Sequence, residues 1–291
     1  MSKTPRLKSI SSSLESILLI LKLVIPFYLL ADILIYFDLL KKITFIFEPI
    51  TNFLNLPQEA TLALAAGMLF NLYAAIAFAS PLDLSPYQWT VLALFLGIAH
   101  SLLVESAIMK KLGIPLTYST LLRILAAFLA IIPLGYLPHT VFTNTSIVAN
   151  KVTNMHFDSF YSMFSHSLQE AIILSIKITI LVVIMIFIMD YIKSLKLLQQ
   201  WQSKVRTSFS LITGLILGIT YGASILINES KSNSLSKKEI FYIGTFLMLC
   251  HAIIEDTLLF VIFGANGYVV IAIRLVIATI LSYLLLKFYK G

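Results

Sequence analysis

A short stretch near the C-terminus places ionisable side chains in otherwise apolar sequence. Its four members are His251, Glu255, Asp256 and Arg274, which lie among Leu, Ile, Val, Phe and Ala. A charged side chain at the centre of a bilayer costs about 2.5–3.5 kcal/mol, so such groups usually serve a function. This stretch is therefore our first candidate for a binding or ion-coupling site.

The same residue types occur 151 positions earlier in the chain. The corresponding pairs are His100 with His251, Glu105 with Asp256, Gly113 with Gly264, and Arg123 with Arg274. Two further blocks agree in order, Glu15 and Lys22 with Glu170 and Lys177, and Tyr73–Ala75 with Tyr221–Ala223. Matches among Leu and Ile carry little information in so apolar a chain, but these coincidences of polar residues and glycines predict an internal duplication.

The composition is that of a membrane protein. Of 291 residues, 59% are hydrophobic and 12% are charged, and the mean hydropathy is +0.93. Soluble domains are much less apolar. The formal net charge of +7 comes from basic residues spread over short segments between the apolar runs, which is typical of membrane-protein loops and does not indicate nucleic-acid binding. The single cysteine, Cys250, excludes an internal disulfide.

The apolar segments predict an all-α integral membrane protein made of two tandem repeats. We expect a first repeat over residues 1–138, a polar linker over 139–166 and a second repeat over 167–291. Each repeat would contain about three spanning helices, an amphipathic helix and a Gly-rich segment, 60–80 or 208–227, that is re-entrant or broken. Because three is odd, the repeats would be inverted. The alternative has eight spanning helices and parallel repeats.

The positions of Lys and Arg favour the inverted arrangement. With three spans per repeat, fourteen of the 21 Lys and Arg residues lie on the side of the N-terminus, three on the other side and four within the membrane. With eight spans the loop residues divide almost evenly. Since cytoplasmic loops carry an excess of basic residues, we expect a multi-pass protein of the cell membrane with both termini in the cytoplasm.

A resemblance to a known family lies between Gly214 and Arg274, in GLILGITYGASIL, a polar loop and HAIIEDTLLFVIFGANGYVVIAIR. This segment resembles the Gate, or nucleoside-recognition, domain family, which includes membrane proteins similar to spore maturation proteins A and B. Related segments occur in ferrous iron transport protein B and in concentrative nucleoside transporters. Through the internal repeat, a weaker resemblance covers Ala66 to Arg123. The resemblance implies duplicated Gate domains and a transport-like architecture, without fixing a substrate.

The first interpretation of the charged cluster is a proton relay. On a continuous helix His251 and Glu255 are four residues apart and share a face, and histidine titrates near neutral pH. In the first copy Val104 takes the place of Glu255, so the second copy is the better candidate site. Asn71, in the middle of the first Gly-rich segment, is a further polar candidate.

Two other interpretations also remain open. If the two copies converge, two histidines and two carboxylates, His100, Glu105, His251 and Asp256, would suit a divalent transition metal. Alternatively, Arg123 and Arg274 would neutralise Glu105 and Asp256 in buried pairs that only hold the halves together.

The predicted function is that of a transporter or permease-like protein that moves a small solute or ion, without a cofactor. The candidate solute- or ion-binding residues are His251, Glu255, Asp256, Arg274, His100, Glu105, Arg123 and Asn71. No GxxxxGK[ST] motif is present, so an ion gradient or a partner would supply the energy. One alternative is a structural or assembly protein that acts with a paralogous subunit or with itself. Another is a membrane-embedded enzyme acting on a lipid, which the absence of GxSxG and HExxH disfavours.

Overall fold

The computed structural model describes residues 5–39, 48–143, 157, 159–194, 211–212, 214–216, 218, 226–227 and 235–289. All regular structure in these ranges is helical. The helices are α1 (Pro5–Tyr36), α2 (Glu48–Phe53), α3 (Thr61–Leu69), α4 (Leu72–Ala79), α5 (Pro86–Ala99), α6 (Leu102–Lys110), α7 (Leu116–Ile131), α8 (Phe160–Ser194), α9 (Lys237–Leu249), α10 (Ile253–Val261) and α11 (Gly267–Phe288).

Within the described ranges, six helical segments are long and apolar enough to cross a membrane. They are Ile17–Tyr36, Pro86–Lys110, Leu116–Tyr136, Phe160–Ile188, Lys237–Val261 and Gly267–Phe288. Three lie in each predicted half of the chain. The prediction of an all-α membrane protein is thus confirmed.

Two of the six candidate spans lie at the centre of the molecule. In their most apolar stretches, Pro86–Lys110 and Lys237–Val261 are 78% buried, against 22–39% for the other four. The outer helices α1, α7, α8 and α11 expose large apolar side chains, such as Leu18, Leu121 and Ile180. Contiguous apolar surface of this kind is suited to lipid. Among the described residues, continuous helices therefore form an outer layer around two central spans.

Each central span is interrupted near its middle. The first breaks between α5 and α6, where Ser101 has φ 46° and ψ 37°, and the second between α9 and α10, where Ala252 has φ 45° and ψ 34°. This left-handed conformation costs a residue other than glycine about 1–2 kcal/mol. The breaks leave helix ends, with their unpaired carbonyl groups, inside the molecule.

Both central spans begin with the same cap. Ser85 Oγ accepts a hydrogen bond from Gln88 N, and the Gln88 side chain accepts one from Ser85 N. Ser236 and Glu239 form the same reciprocal pair before α9. Such a capping box satisfies helix N–H groups that have no partner within the helix. Its position in the two spans fixes equivalent starts for α5 and α9.

The two central spans run antiparallel and cross at their breaks. Trp89, near the start of α5, stacks on Phe263, just after α10, with ring centroids 4.6 Å apart. At the opposite end, Met109, near the end of α6, and Leu112 pack in one buried cluster with Ile240, near the start of α9. Each span thus begins beside the end of the other.

The first Gly-rich segment folds back on itself as a helical hairpin. A Cβ added to Gly67 of α3 would lie 3.0 Å from Ala75 Cβ of α4, whereas residues eight apart in one helix are about 12 Å apart. It would also lie 2.7 Å from Leu96 Cδ2, so a side chain here would force Leu96 to shift, and glycine allows the hairpin to approach α5 closely. With 9 and 8 residues, each arm covers less than half of a bilayer core of about 30 Å. Residues 60–80 therefore do not cross the membrane as one helix.

Several predicted features fall partly outside the described residues. Of the first predicted amphipathic helix, the structure describes only α2. Most of the second, residues 193–206, lies outside the described residues. Most of the second Gly-rich segment, 208–227, lies outside them too. In the region 139–166, predicted as a polar linker, α8 already begins at Phe160, because its apolar pattern extends further towards the N-terminus than expected. The rest of that region is described only in part.

Candidate functional site

The carboxylate of Glu105 lies at the centre of the crossing. Its Oε1 is 3.0 Å from His100 Nε2 and 3.2 Å from His251 Nε2. Its Oε2 is 2.8 Å from Arg123 Nη2, an ion pair by distance that lacks the angles of a hydrogen bond. All four side chains are buried, and the two imidazole rings are 5.3 Å apart. One carboxylate from the first half is thus shared by histidines of both halves.

Both histidines are oriented by the helix that precedes them. His100 Nδ1 lies 2.8 Å from Leu96 O, and His251 Nδ1 lies 2.7 Å from Leu247 O. A carbonyl oxygen only accepts, so each Nδ1 carries a hydrogen and donates it. Each Nε2 therefore points to Glu105, and in a neutral imidazole that atom has a lone pair.

The two arginines bind the backbone at the breaks. Arg123 donates from Nε to Ile98 O at 2.7 Å and from Nη2 to His100 O at 2.7 Å. Arg274 Nη2 donates to His251 O at 2.9 Å and to Asp256 Oδ2 at 3.4 Å. A cation at a helix C-terminus stabilises carbonyl groups that have no partner within the helix. Both predicted pairs, Arg123 with Glu105 and Arg274 with Asp256, are present.

Arg274 also connects the halves by packing on Gly97 of α5. A Cβ added to Gly97 would lie 3.1 Å from Arg274 Nη1 and 3.2 Å from Cζ. Sequence analysis missed this glycine, although it stands three residues before His100 in an otherwise apolar helix. A side chain at this position would push the guanidinium away from the break in the second span.

Some buried donors of the arginines lack an acceptor. Within the described part of the chain, Nη1 of Arg123 and both Nε and Nη1 of Arg274 have no hydrogen-bond partner. Both side chains are fully buried. Since more than about 90% of buried polar groups in proteins are paired, these donors indicate a place for an acceptor group beyond those identified here.

The hairpin of α3 and α4 contacts the first break directly. Ser101 N donates to Gly67 O at 2.9 Å, and Ser101 Oγ donates to Phe70 O at 2.8 Å. At the second break Ala252 N donates to Gly214 O at 3.4 Å. Asn71, predicted as a site residue, accepts from Ala74 N at 3.0 Å through Oδ1 and caps α4. Its observed role is to shape the hairpin tip beside the break.

The predicted pairing of His251 with Glu255 on one helical face is wrong, because it assumed a continuous helix. That spacing requires a continuous helix, but α9 ends at Leu249 and α10 begins at Ile253. The ring of His251 contacts Glu105 instead. Glu255 is partly buried and, like Asp256, lies close enough to Tyr73 of α4 to interact electrostatically. Tyr73 was missed as a site residue, although it begins one of the repeated blocks.

The predicted metal-binding set comes together at the crossing. Ring nitrogens of His100 and His251 and a carboxylate oxygen of Asp256 lie within 4.8 Å of one another. Glu105 adds an oxygen within 3.2 Å of both histidines. These residues offer nitrogen and oxygen ligands of the kind that bind divalent transition metals.

Comparison with known proteins places the chain beside another membrane protein. It is similar to the "Uncharacterized membrane protein YvoD" of Bacillus subtilis (strain 168), with 27% identity over 272 residues, which are 90% of this chain and 87% of that protein. No protein-family model and no solved structure matches the chain. The similarity and the six apolar helices agree on a membrane location.

Proposed function

We propose that this protein is a transporter of a small solute or ion, built from two inverted Gate-like repeats. The observation that carries the proposal is the carboxylate of Glu105, which is held by His100 and His251 where two broken, antiparallel spans cross. Binding sites of secondary transporters lie near the midplane, at the interface of repeats and at discontinuous helices. The cluster lies at two discontinuous helices, and if the repeats are as proposed it also lies at their interface, which supports this function.

The duplication is supported by local structure that repeats with the sequence. In both copies a capping box starts the broken span, a left-handed residue follows the histidine, and the histidine Nδ1 donates to the carbonyl four residues before it. In both, the arginine 23 residues further on donates to the histidine carbonyl. Gly113 and Gly264 follow at equivalent places, with φ of +82° and +106°. These matches support repeats over 1–138 and 167–291.

The inversion is supported by the number and direction of the spans. In the part of the chain that the structure describes, three candidate spans lie before residue 139 and three begin at Phe160 or later. Because the hairpin of α3 and α4 returns to the side on which it begins, the second repeat starts on the opposite side from the first. The antiparallel central spans fit this topology. Together with the distribution of Lys and Arg, it favours cytoplasmic termini in the cell membrane.

The chemistry of the cluster supports movement of a solute or ion. Charged groups at this depth are costly, and discontinuous helix ends are tolerated only where they are buried or line a cavity. The unpartnered donors of Arg123 and Arg274 supply contacts for a ligand. A relative movement of the two halves would expose this site to one side of the membrane and then to the other.

A test of two-sided access can use the native cysteine as a reporter. Cys250 is the only cysteine of the chain, is fully buried and directly precedes His251. Vesicles of known orientation are treated with a membrane-impermeant thiol reagent from one side at a time. We expect labelling from both sides, because a transporter must open its central site to each. Cys250→Ala is the matched control and should show no labelling.

A second reporter tests the other break independently. In the Cys250→Ala background, Ala99→Cys places a thiol at the equivalent position of the first span, directly before His100. We expect it, too, to react from both sides. If folded protein resists the reagent at both reporters, or reacts from a single side, the cluster is a static connection between the halves and the transport proposal fails.

A further inference from the structure

Three hydrogen-bond acceptors converge at the crossing. Since Leu96 O and Leu247 O fix the hydrogens on both Nδ1 atoms, the neutral forms of His100 and His251 direct lone pairs at Glu105. These lone pairs meet the anionic Oε1 at 3.0 and 3.2 Å. Such an arrangement is repulsive unless positive charge lies between the three atoms.

Two simple occupants that would satisfy all three acceptors carry the same charge. One is a pair of protons, one on each Nε2, which makes both imidazoles cationic and lets both donate to Oε1. The other is a single divalent cation bound by both nitrogens and the oxygen. Each adds two positive charges, so the net charge of the site together with its neighbours is the same in both cases. Partial protonation, with one imidazole neutral, leaves a lone pair against the carboxylate.

The interatomic distances fit a cation. Ligand atoms bound to a transition metal at about 2.1 Å are about 3.0 Å apart at adjacent octahedral positions and about 3.4 Å apart in a tetrahedron. The two Nε2–Oε1 distances, 3.0 and 3.2 Å, lie in this range. The Nδ1–carbonyl bonds are the outer contacts that orient metal-binding histidines in proteins.

The charged neighbours leave the inner oxygen available. Arg123 pairs with Oε2 of Glu105, which leaves Oε1 to the histidines. Arg274 contacts Asp256 at the longer distance of 3.4 Å, and Asp256 still has an oxygen within 4.8 Å of both rings. The other titratable groups around the site, among the residues that the structure describes, are Tyr73, Cys250 and Glu255.

We infer that His100, His251 and Glu105 form a binding site for one divalent transition-metal cation. As a binding site this stands on the geometry alone. As the identity of the transported ion it rests on the proposed function, in which case the protein would move a divalent cation across the membrane.

The binding site is tested on the purified full-length protein in detergent, without any transport assay. Zn²⁺ is titrated at pH 8 by calorimetry, and Co²⁺ is titrated by its visible absorption. We expect one ion per chain. The apparent dissociation constant should rise by up to about 100-fold per pH unit on the acidic side, because two protons compete for the site. Absence of stoichiometric binding, or an affinity that does not depend on pH, overturns the inference.

Variants locate the ion within the chain. Glu105→Gln and the double variant His100→Gln/His251→Gln should weaken Zn²⁺ binding by about 100-fold or more, since loss of even an outer contact costs about 10–100-fold. His139→Ala removes an exposed histidine outside the cluster and is the matched control. Equal binding by all variants would mean surface binding and would contradict the site.

A measurement on the unaltered protein covers the case in which the variants do not fold. X-ray absorption at the zinc edge of the Zn²⁺-loaded protein should show two imidazole ligands with oxygen completing the shell. Fewer than two imidazoles overturns the inference. Because these measurements detect binding and the thiol experiment detects access, a protein can fail either test while passing the other.

Discussion

The two broken spans share a backbone and differ in their acids. Both place a histidine at the break and an arginine on its carbonyl, yet Glu105 reaches both histidines, whereas Asp256 contacts Arg274 at 3.4 Å. Aspartate is one methylene shorter than glutamate. The backbone of the two spans is therefore symmetric, whereas the side chains at the crossing are not. The longer side chain of Glu105 is the one that supplies the shared carboxylate.

A second difference concerns the position just before these acids. In the first span it is Val104, which is 61% exposed on the apolar exterior. In the second it is Glu255, which is partly buried and interacts with Tyr73. The second half therefore has an extra acid beside the hairpin, where the first half exposes an apolar valine.

The largest expected effect is a difference between Glu105→Gln and Asp256→Asn. Removing the charge of Glu105 leaves Arg123 without its partner, and loss of one member of a buried pair costs about 3–5 kcal/mol. Asp256→Asn should cost about 1–2 kcal/mol, because its contact with Arg274 is longer. The free energy of unfolding is measured by SDS titration from mild detergent. Equal losses would show that the two acids are equivalent after all.

Moving the extra acid to the first half should also destabilise the protein. Val104→Glu places a charge on a lipid-facing surface, at an expected cost of about 2.5–3.5 kcal/mol. The measurement is the yield of inserted protein together with its free energy of unfolding. Val104→Gln is the neutral control and should cost less. If the Glu variant is as stable as the wild type, this side of α6 faces water and not lipid.

The arginines should differ in the same direction as the acids. Arg123 uses Nε and Nη2 for two carbonyl groups and also pairs with Glu105, whereas Arg274 makes its contacts through Nη2 alone. Lysine cannot reproduce the fork, so Arg123→Lys should lose about 2–3 kcal/mol and Arg274→Lys about 1–2 kcal/mol. Unfolding of both variants in SDS provides the comparison. A greater loss for Arg274→Lys would reverse the assigned asymmetry.

The smallest effect is expected at the left-handed residues of the breaks. Ala252→Gly removes a conformational cost of about 1–2 kcal/mol, offset by the greater freedom of glycine in the unfolded chain, and should stabilise the protein by about 0.5–1 kcal/mol. Ser101→Gly gains the same but loses the hydrogen bond to Phe70 O, and should change little. Thermal unfolding in detergent distinguishes these cases. Destabilisation by Ala252→Gly would show that the break is not strained.

Much of the fold could be predicted because it follows from hydropathy and spacing. The six spans are apolar runs, and the paired histidines, acids and arginines revealed matching positions in the two halves. The breaks at Ser101 and Ala252 could not be predicted, because neither segment contains proline and both residues are forced into the left-handed conformation by tertiary contacts. The hairpin depends similarly on Gly67, whose contacts with α4 and α5 are long-range.

The members of the site were easier to predict than their partners. Residue type and depth indicated the histidines, acids and arginines, and both acid–arginine pairs followed from charge. The contact of His251 with Glu105 joins residues 146 positions apart and depends on the antiparallel crossing. The expected contact with Glu255 assumed an unbroken helix. Local spacing cannot show where a helix is interrupted.

The packing of α1 against α8 has a consequence for how the protein is made. The two helices lie along each other, with Tyr36 and Phe160 rings 6.1 Å apart, and the carboxyl group of Asp32 of α1 lies near Ser167 of α8. Synthesis at about 5–20 residues per second delays α8 by roughly 6–25 s after α1 emerges. During that time α1 must wait in the membrane with an acidic group that lacks this partner. The contacts of α1 with the rest of the protein are thus complete only after α8 has been synthesised.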